Sequence, residues 1–148
     1  MRVRAATPAD ASHVARLLTA LGHPTDAADV PSRLAALEQE GGAALLAVDD
    51  NGTALGFMSL ATHTVIHAAG PVAWITGLVV AEDVRGRGVG RALVSAARDW
   101  ATRRGCVRLT VTSGEHRTDA HAFYPACGLA YTGRRFATAL DAGRGTIR

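Results

Sequence analysis

The chain has 148 residues and a net charge of +3, with 48% apolar and 20% charged residues, a balance that indicates one compact domain with its own core. It has no apolar run of the roughly 18 residues that a membrane helix needs, and no signal-peptide pattern, so we expect a cytoplasmic protein with no membrane partner. All sixteen basic side chains are arginines, which excludes lysine Schiff bases, pyridoxal phosphate attachment and a Walker loop. The two cysteines and six histidines lack metal-ligand spacing, so we expect no metal.

The N-terminal part of the chain predicts a strand followed by two helices. Val3–Ala6 is the strand, and Thr7–Asp10 then offers a threonine cap, a proline in the first turn and an acid three residues after the cap. These signals start a helix over Pro8–Leu21. Apolar residues at helical spacing predict a second helix over Val30–Glu40.

The middle of the chain predicts an antiparallel meander of three strands. They are Ala43–Val48, Ala54–Val65 and Val72–Val80, and the turn residues Asp49–Gly52 connect the first two as a hairpin. Gly56 inside the second strand indicates a bulge or a close backbone approach.

The remainder predicts a strand–helix–strand crossover and further short elements. The order β-α-α-β-β-β-α-β-α-β-β implies an α+β fold, a mixed central sheet flanked by helices, in one domain over residues 1–140. The tail, residues 141–148, is polar, and we expect it to be mobile. The elements of this part are a helix over Val89–Arg104, a strand over Val107–Thr112, a helix from Thr118 through Phe123 or beyond, and strands at Leu129–Thr132 and Arg135–Ala139.

A glycine-rich segment, Arg85–Gly90 (RGRGVG), lies between the third meander strand and the following helix. Its glycines allow close approach of a ligand and positive φ, and the first N–H groups of the helix have no partners within it. Together with the helix dipole these features predict an anion site suited to a diphosphate, with Arg85, Arg87 and Arg91 adding charge. The dinucleotide fingerprint fails because Arg91 stands where it needs glycine, and a plain tight turn remains the alternative for the glycines alone.

Two segments together resemble a known family. Val80-x4-Arg85-Gly86-Arg87-Gly88-Val89-Gly90-x2-Leu93 resembles motif A of the GNAT superfamily of N-acetyltransferases, and Ala120–Leu129 (AHAFYPACGL) resembles its motif B. The predicted order of elements matches that family up to about Leu140. The resemblance implies that acetyl-CoA is the cosubstrate, and that the donor is held by Leu78, Val79, Val80, Arg85, Gly86, Arg87, Gly88, Val89, Gly90 and Arg91.

The resemblance also implies a mechanism, in which the amine of an acceptor attacks the thioester directly in a ternary complex. The amine must be neutral to attack, and a preorganised N–H must stabilise the oxyanion, which the family takes from the strand before motif A, here Leu78–Val80. Tyr124 matches the family's tyrosine that protonates the leaving thiolate, and its alternative role is that of a core aromatic residue. Pro125 disfavours helical dihedrals at Tyr124, so we expect the helix to kink or end there.

The catalytic base is not identified by the sequence. Many relatives carry an acid in the strand before motif A, where this chain has Thr76 and Gly77. Arg117 stands where relatives often have asparagine. The candidates for the base are Glu115, His116, Asp119, His63 and His67, each of which is otherwise an ordinary surface residue.

Two other classes of function compete with the enzyme. A non-catalytic acyl-CoA-binding sensor would also explain the missing acid. A nucleic-acid-binding module would suit the net positive charge, but the chain has only 5% aromatic residues and no dense basic stripe, so we expect no nucleic acid partner. The acceptor amine is not readable from the sequence, and a homodimer is an expectation by analogy with relatives that dimerise.

Overall fold

A computed structural model of the protein describes residues 1–112, 118–133 and 135–140. The chain divides into two compact units, Met1–Val111 and Thr112–Arg148. The described part of the second unit contains one helix, α4 (Thr118–Ala126). The first unit contains β1 (Arg2–Ala5), α1 (Ala11–Leu21), α2 (Val30–Gln39), β2 (Ala43–Val48), β3 (Ala54–His63), β4 (Val72–Val80), α3 (Val89–Arg103) and β5 (Arg108–Val111).

The five strands form one mixed sheet in the order β1-β2-β3-β4-β5. The first four are antiparallel neighbours, and β5 pairs with β4 in parallel after the crossover through α3. The predicted fold class, a mixed sheet flanked by helices, is therefore confirmed. Each predicted element up to β5, and the start of α4, agrees with the structure to within three residues, the usual scatter of helix and strand ends being one or two.

The helices cover both faces of the sheet. Val14 and Leu17 of α1 are buried with Phe57 of β3 in one core cluster, which also contains Val30 of α2. Gly56 and Phe57 are adjacent in β3, so their faces are opposite. A Cβ at Gly56 would lie 3.0 Å from Val89 Cγ1, which places α3 on the face opposite α1 and α2.

Both interpretations offered for Gly56 are confirmed. The register between β2 and β3 shifts at Ala47 and Val48, because these pair with Gly56 and Ala54 and leave Leu55 as an extra residue. Gly56 also allows close packing, since its missing Cβ would lie 3.0 Å from the Val79 carbonyl oxygen. The start of α3 can therefore lie directly on the sheet.

The turn before α1 is fixed by the acid predicted three residues after Thr7 and by an ion pair that the sequence does not reveal. Residues Pro8–Asp10 form a 3₁₀ turn, with Asp10 accepting hydrogen bonds from the Thr7 N–H at 2.8 Å and from the Thr7 hydroxyl at 3.2 Å. Arg4 of β1 donates to both oxygens of the same carboxylate, at 2.8 and 2.9 Å. This arrangement holds the pKa of Asp10 well below its usual range, chiefly through the hydrogen bond from Arg4.

The end of the chain differs from the prediction. The segments Leu129–Thr132 and Arg135–Ala139, predicted as strands, are not strands in the described residues 129–133 and 135–140. A strand needs a paired neighbour, and a lone two-stranded hairpin is marginal in water. The predicted tail at 141–148 lies outside the described residues, and a single domain over 1–140 stays a prediction. No helix of the described residues is long and apolar enough to span a membrane.

Candidate active site

The glycine-rich segment connects β4 to α3 as predicted. A 3₁₀ turn at Glu82–Val84 follows β4, and α3 begins at Val89 with Gly88 as its N-cap residue. Gly86 and Gly88 have φ of +80° and +85°, the left-handed region that side chains with a Cβ rarely adopt. A Cβ added at either glycine would have no atom of the described residues within 4 Å, so the open side of the loop can receive a ligand.

The start of α3 presents backbone donors to this open side. Its first α-helical hydrogen bond runs from the Ala92 N–H to the Gly88 carbonyl at 3.0 Å. In the part of the chain that the structure describes, the N–H groups of residues 86–90 donate to no protein acceptor. Because these groups lie at the positive end of a 15-residue helix, the loop can bind an anion such as a diphosphate.

Three exposed arginines flank this loop. Arg91 lies in the first turn of α3 and Arg87 between the two left-handed glycines. The Arg85 side chain bends back, and its Nε donates to the Val80 carbonyl at 3.4 Å. Arg85 therefore ties the loop to the end of β4 in addition to contributing charge.

The buried face of α3 fixes the loop against the sheet. Leu93 and Ala97 are fully buried and Trp100 is nearly so, while Arg91 and Arg98 lie on the exposed side. The helix ends as predicted near Gly105, whose N–H donates to the Thr102 carbonyl at 3.1 Å.

The strand before the loop carries a second irregularity, which lies at Thr76. Ser59 pairs with Gly77 and Leu60 pairs with Ile75, so Thr76 is an extra residue that forms a β-bulge. On the other edge of β4, the ladder with β5 ends at the pair Ile75–Val111. Within the described residues, the edge of β4 from Thr76 onward therefore has no strand partner on the β5 side.

The residues of β4 that were predicted to hold acetyl-CoA lie along this unpaired edge. Val79 is 4% exposed and packs into the core shared with α1 and α2, whereas Leu78 and Val80 are half-buried. Within the described residues, this edge includes Leu78–Val80, the stretch that we expect to supply the oxyanion N–H.

The bulge brings together two hydroxyl groups that the sequence analysis did not connect. Ser59 Oγ and Thr76 Oγ1 are 2.7 Å apart. A Cβ at Gly77 would lie 3.0 Å from Ser59 Oγ, so the glycine leaves room for the serine. The sequence marks Thr76 only as the residue at a position where relatives carry an acid, and no sequence pattern indicates that it contacts Ser59.

Two aromatic rings lie further along the same strands. The indole of Trp74 and the imidazole of His63 meet edge to face, with centroids 5.7 Å apart and planes at 86°. Trp74 is half-buried and His63 exposed. The two strands thus present an indole and an imidazole in contact.

Tyr124 lies in α4, in the second unit. The helix continues through Tyr124 and Pro125 and ends at Ala126, two residues beyond Tyr124, where we expected a kink or an end. The Tyr124 carbonyl accepts hydrogen bonds from the N–H groups of Cys127 and Leu129, both at 3.0 Å, which closes the helix with Gly128 in the left-handed region. Its ring meets that of Phe123 edge-on, with centroids 5.3 Å apart.

The structure does not single out a base among the candidates. His63 and His67 are exposed, and Asp119 lies in the first turn of α4. Glu115, His116 and Arg117 lie outside the described residues. Among the residues that the structure describes, no group of three or more histidines, cysteines or carboxylates could hold a metal ion.

Comparison with known proteins agrees with the fold. A family model described as the acetyltransferase (GNAT) family matches residues 14–129. An aminoglycoside N(6')-acetyltransferase type 1 from Stenotrophomonas maltophilia is 36% identical over 136 residues, covering 89% of this chain and 88% of that protein. An aminoalkylphosphonate N-acetyltransferase from Salmonella typhimurium is 32% identical over 90 residues, covering 61% of this chain and 58% of that protein.

Solved structures extend the match to nearly the whole chain. A putative acetyltransferase from Agrobacterium tumefaciens is 29% identical and superposes with a TM-score of 0.83, covering 95% of this chain and 100% of that one. An aminoglycoside 6'-N-acetyltransferase from Acinetobacter haemolyticus, 21% identical, shares the fold with a TM-score of 0.79 and coverage of 95% and 100%. The chain belongs to the GNAT family and is an acyltransferase of that family.

Proposed function

We propose that the protein transfers an acetyl group from acetyl-CoA to a primary amine of a small molecule or peptide, by direct attack in a ternary complex. The observation that carries this proposal is the loop of residues 85–88, in which Gly86 and Gly88 are left-handed and open at the start of α3. Its backbone donors suit a diphosphate, and CoA carries one.

In this proposal the donor lies along β4 and over the loop. The N–H groups of residues 86–90 hold the diphosphate, and Arg87 and Arg91 neutralise part of its charge. The amide groups of the pantetheine arm pair with the unpaired edge of β4 between Gly77 and Val80, as an added strand would. The thioester is thereby brought to the end of that edge near the bulge.

The reaction balances without a cofactor beyond acetyl-CoA. The amine nitrogen forms a bond to the acetyl carbon, the bond between that carbon and sulfur breaks, and the nitrogen loses one proton. A backbone N–H on β4 at Leu78–Val80 stabilises the oxyanion of the tetrahedral intermediate. Tyr124 donates a proton to the departing thiolate, and the amine proton leaves through water or a base.

The relatives suggest which acceptors to test first. The Stenotrophomonas maltophilia relative is named for aminoglycosides and the Salmonella typhimurium relative for aminoalkylphosphonates. We therefore propose an amine of one of these two kinds as the first acceptor, ahead of peptide α-amines and polyamines. A cytoplasmic location, the absence of a nucleic acid partner, and a homodimer stay predictions.

The alternative, an acyl-CoA-binding sensor without turnover, is favoured by one observation: a neutral Thr76 stands at the bulge. The deciding experiment measures free thiol released from acetyl-CoA with each acceptor class, and the acetylated amine by mass spectrometry. Acetyl-CoA binding with amine-dependent thiol release supports the enzyme. Binding with no acetylated product from any acceptor supports the sensor, and no binding at all refutes both.

A further inference from the structure

We propose that the hydroxyls of Ser59 and Thr76 form the subsite that holds and orients the acceptor amine. The inference rests on the proposed function and adds to it a site on the protein for the acceptor. Three independent features of the fold converge on Thr76, namely the bulge, the end of the β4–β5 ladder, and a hydroxyl partner at 2.7 Å.

The bulge aims Thr76 at Ser59. A bulge places two residues of one strand opposite one residue of its neighbour, and here Thr76 and Gly77 face Ser59. Because Gly77 has no side chain, Ser59 can extend over it and reach Thr76. An alanine in place of Gly77 would put its Cβ 3.0 Å from Ser59 Oγ and crowd the serine.

The pair lies where an acceptor can reach it. Ser59 follows Phe57 by two residues on β3 and therefore shares its face, the face covered by α1 and α2. Thr76 is exposed and Ser59 is half-buried, so the pair lies at the rim of that core. Within the described residues, the edge of β4 that lacks a strand partner begins at the same residue, and the proposed acetyl-CoA lies along that edge.

The hydrogen-bonding capacity of two paired hydroxyls matches what a reactive amine needs. One hydroxyl donates to the other, which leaves one free O–H and several lone pairs for a ligand. A lone pair that accepts an N–H of a neutral amine fixes its orientation without engaging the nitrogen lone pair that must attack the thioester. The pair does not titrate near neutral pH and so positions the amine, while the exposed setting of Thr76 lets water receive the proton.

The experiment removes each hydroxyl and keeps the shape. Thr76→Val, Ser59→Ala and the double variant are compared with the wild type in acetyl transfer to the best acceptor of the panel. We expect kcat/KM for the acceptor to fall about tenfold or more in each single variant, because the loss of one well-placed hydrogen bond corresponds to roughly that factor. The double variant should fall by less than the product of the two, because the hydroxyls act as a unit.

Two controls separate positioning from a structural role. Thr76→Ser keeps the hydroxyl and should stay within about threefold of the wild type. Thr62→Val makes the same change on β3, three residues from Ser59 and so on the opposite face, and should leave transfer unchanged. The dissociation constant of acetyl-CoA, measured by calorimetry, should move less than about twofold in all variants, since a twofold change is only about 0.4 kcal/mol.

The outcomes distinguish this inference from the function on which it rests. Wild-type kcat/KM in Thr76→Val and Ser59→Ala, with the wild type active, would overturn the subsite and leave the acetyltransferase in place. Equal losses in Thr76→Val and Thr76→Ser would also overturn it, because the hydroxyl would then not be the cause. A wild-type protein that binds acetyl-CoA but acetylates no amine would overturn both the subsite and the proposed acetyltransferase function.

Discussion

Replacing Asp10 by asparagine should remove most of the link between β1 and the start of α1. The Asp10 side chain is only 9% exposed and accepts two charge-assisted hydrogen bonds from Arg4 and one from the Thr7 N–H. Asparagine keeps the size but has one acceptor oxygen, and its NH₂ group would face the guanidinium. In the variant, the Arg4 guanidinium would therefore face a hydrogen-bond donor where it now has an acceptor.

The expected size of the effect follows from these contacts. Removing one partner of a buried ion pair costs about 3–5 kcal/mol, but the Arg4 side chain is 33% exposed, so water compensates part of the loss. Hydrogen bonds to charged groups contribute roughly 1.5–3 kcal/mol each before this compensation. We expect Asp10→Asn to lower the free energy of unfolding by about 2–3 kcal/mol, and Tm by about 5–10 °C for a chain of this size.

The pH dependence of this loss has a definite sign. The pKa of Asp10 is lowered in the folded state, so its contribution to stability is fully present above the unfolded value of about 3.9 and is lost as pH falls through the folded value. The difference in unfolding free energy between wild type and Asp10→Asn should therefore be about 1 kcal/mol smaller at pH 3 than at pH 7.

Urea unfolding of both proteins at several pH values between 3 and 7 measures this difference. Asp99→Asn removes an exposed carboxylate from α3 that forms no ion pair within the described residues, and it should change stability by less than about 0.5 kcal/mol. A loss for Asp10→Asn below about 0.5 kcal/mol, or one that stays constant down to pH 3, would refute the assignment of this ion pair.

Three further predictions concern the active site. Gly88→Glu should abolish acetyl-CoA binding in calorimetry. The control Gly52→Glu changes a glycine with φ of +81° and equally open surroundings, so it should bear the same backbone strain of about 1–2 kcal/mol and still bind acetyl-CoA normally. Equal affinities of the two variants for acetyl-CoA would refute the loop assignment. Tyr124→Phe should lower kcat more than acetyl-CoA affinity, and an unchanged rate would remove Tyr124 from the mechanism. Gly56→Ala should destabilise the fold by about 1–3 kcal/mol and weaken acetyl-CoA binding, because the new Cβ would lie 3.0 Å from both Val89 Cγ1 and the Val79 carbonyl; unfolding at the wild-type urea midpoint would contradict this.

The sequence predicted what local patterns encode. The helix caps, the hairpin turn and the alternation of apolar residues act over a few residues, so β2, β4 and the start of α3 were predicted with their observed bounds. The position of the glycine loop followed from the same local signals.

Features that depend on contacts between distant residues escaped the sequence. Arg4 is six residues from Asp10, and Ser59 is seventeen from Thr76, so no periodicity connects either pair. The bulge at Thr76 depends on the pairing register with β3, which only the folded sheet fixes. The last two strands were predicted from propensity alone, which does not decide whether a strand finds a partner.

A crystal structure of the protein with acetyl-CoA tests the central claim most directly. We predict diphosphate oxygens within hydrogen-bond distance of the N–H groups of residues 86–90, and the pantetheine arm along β4 from Gly77 to Val80. Ordered acetyl-CoA bound elsewhere, with the loop at Gly86 and Gly88 facing solvent, would contradict the account.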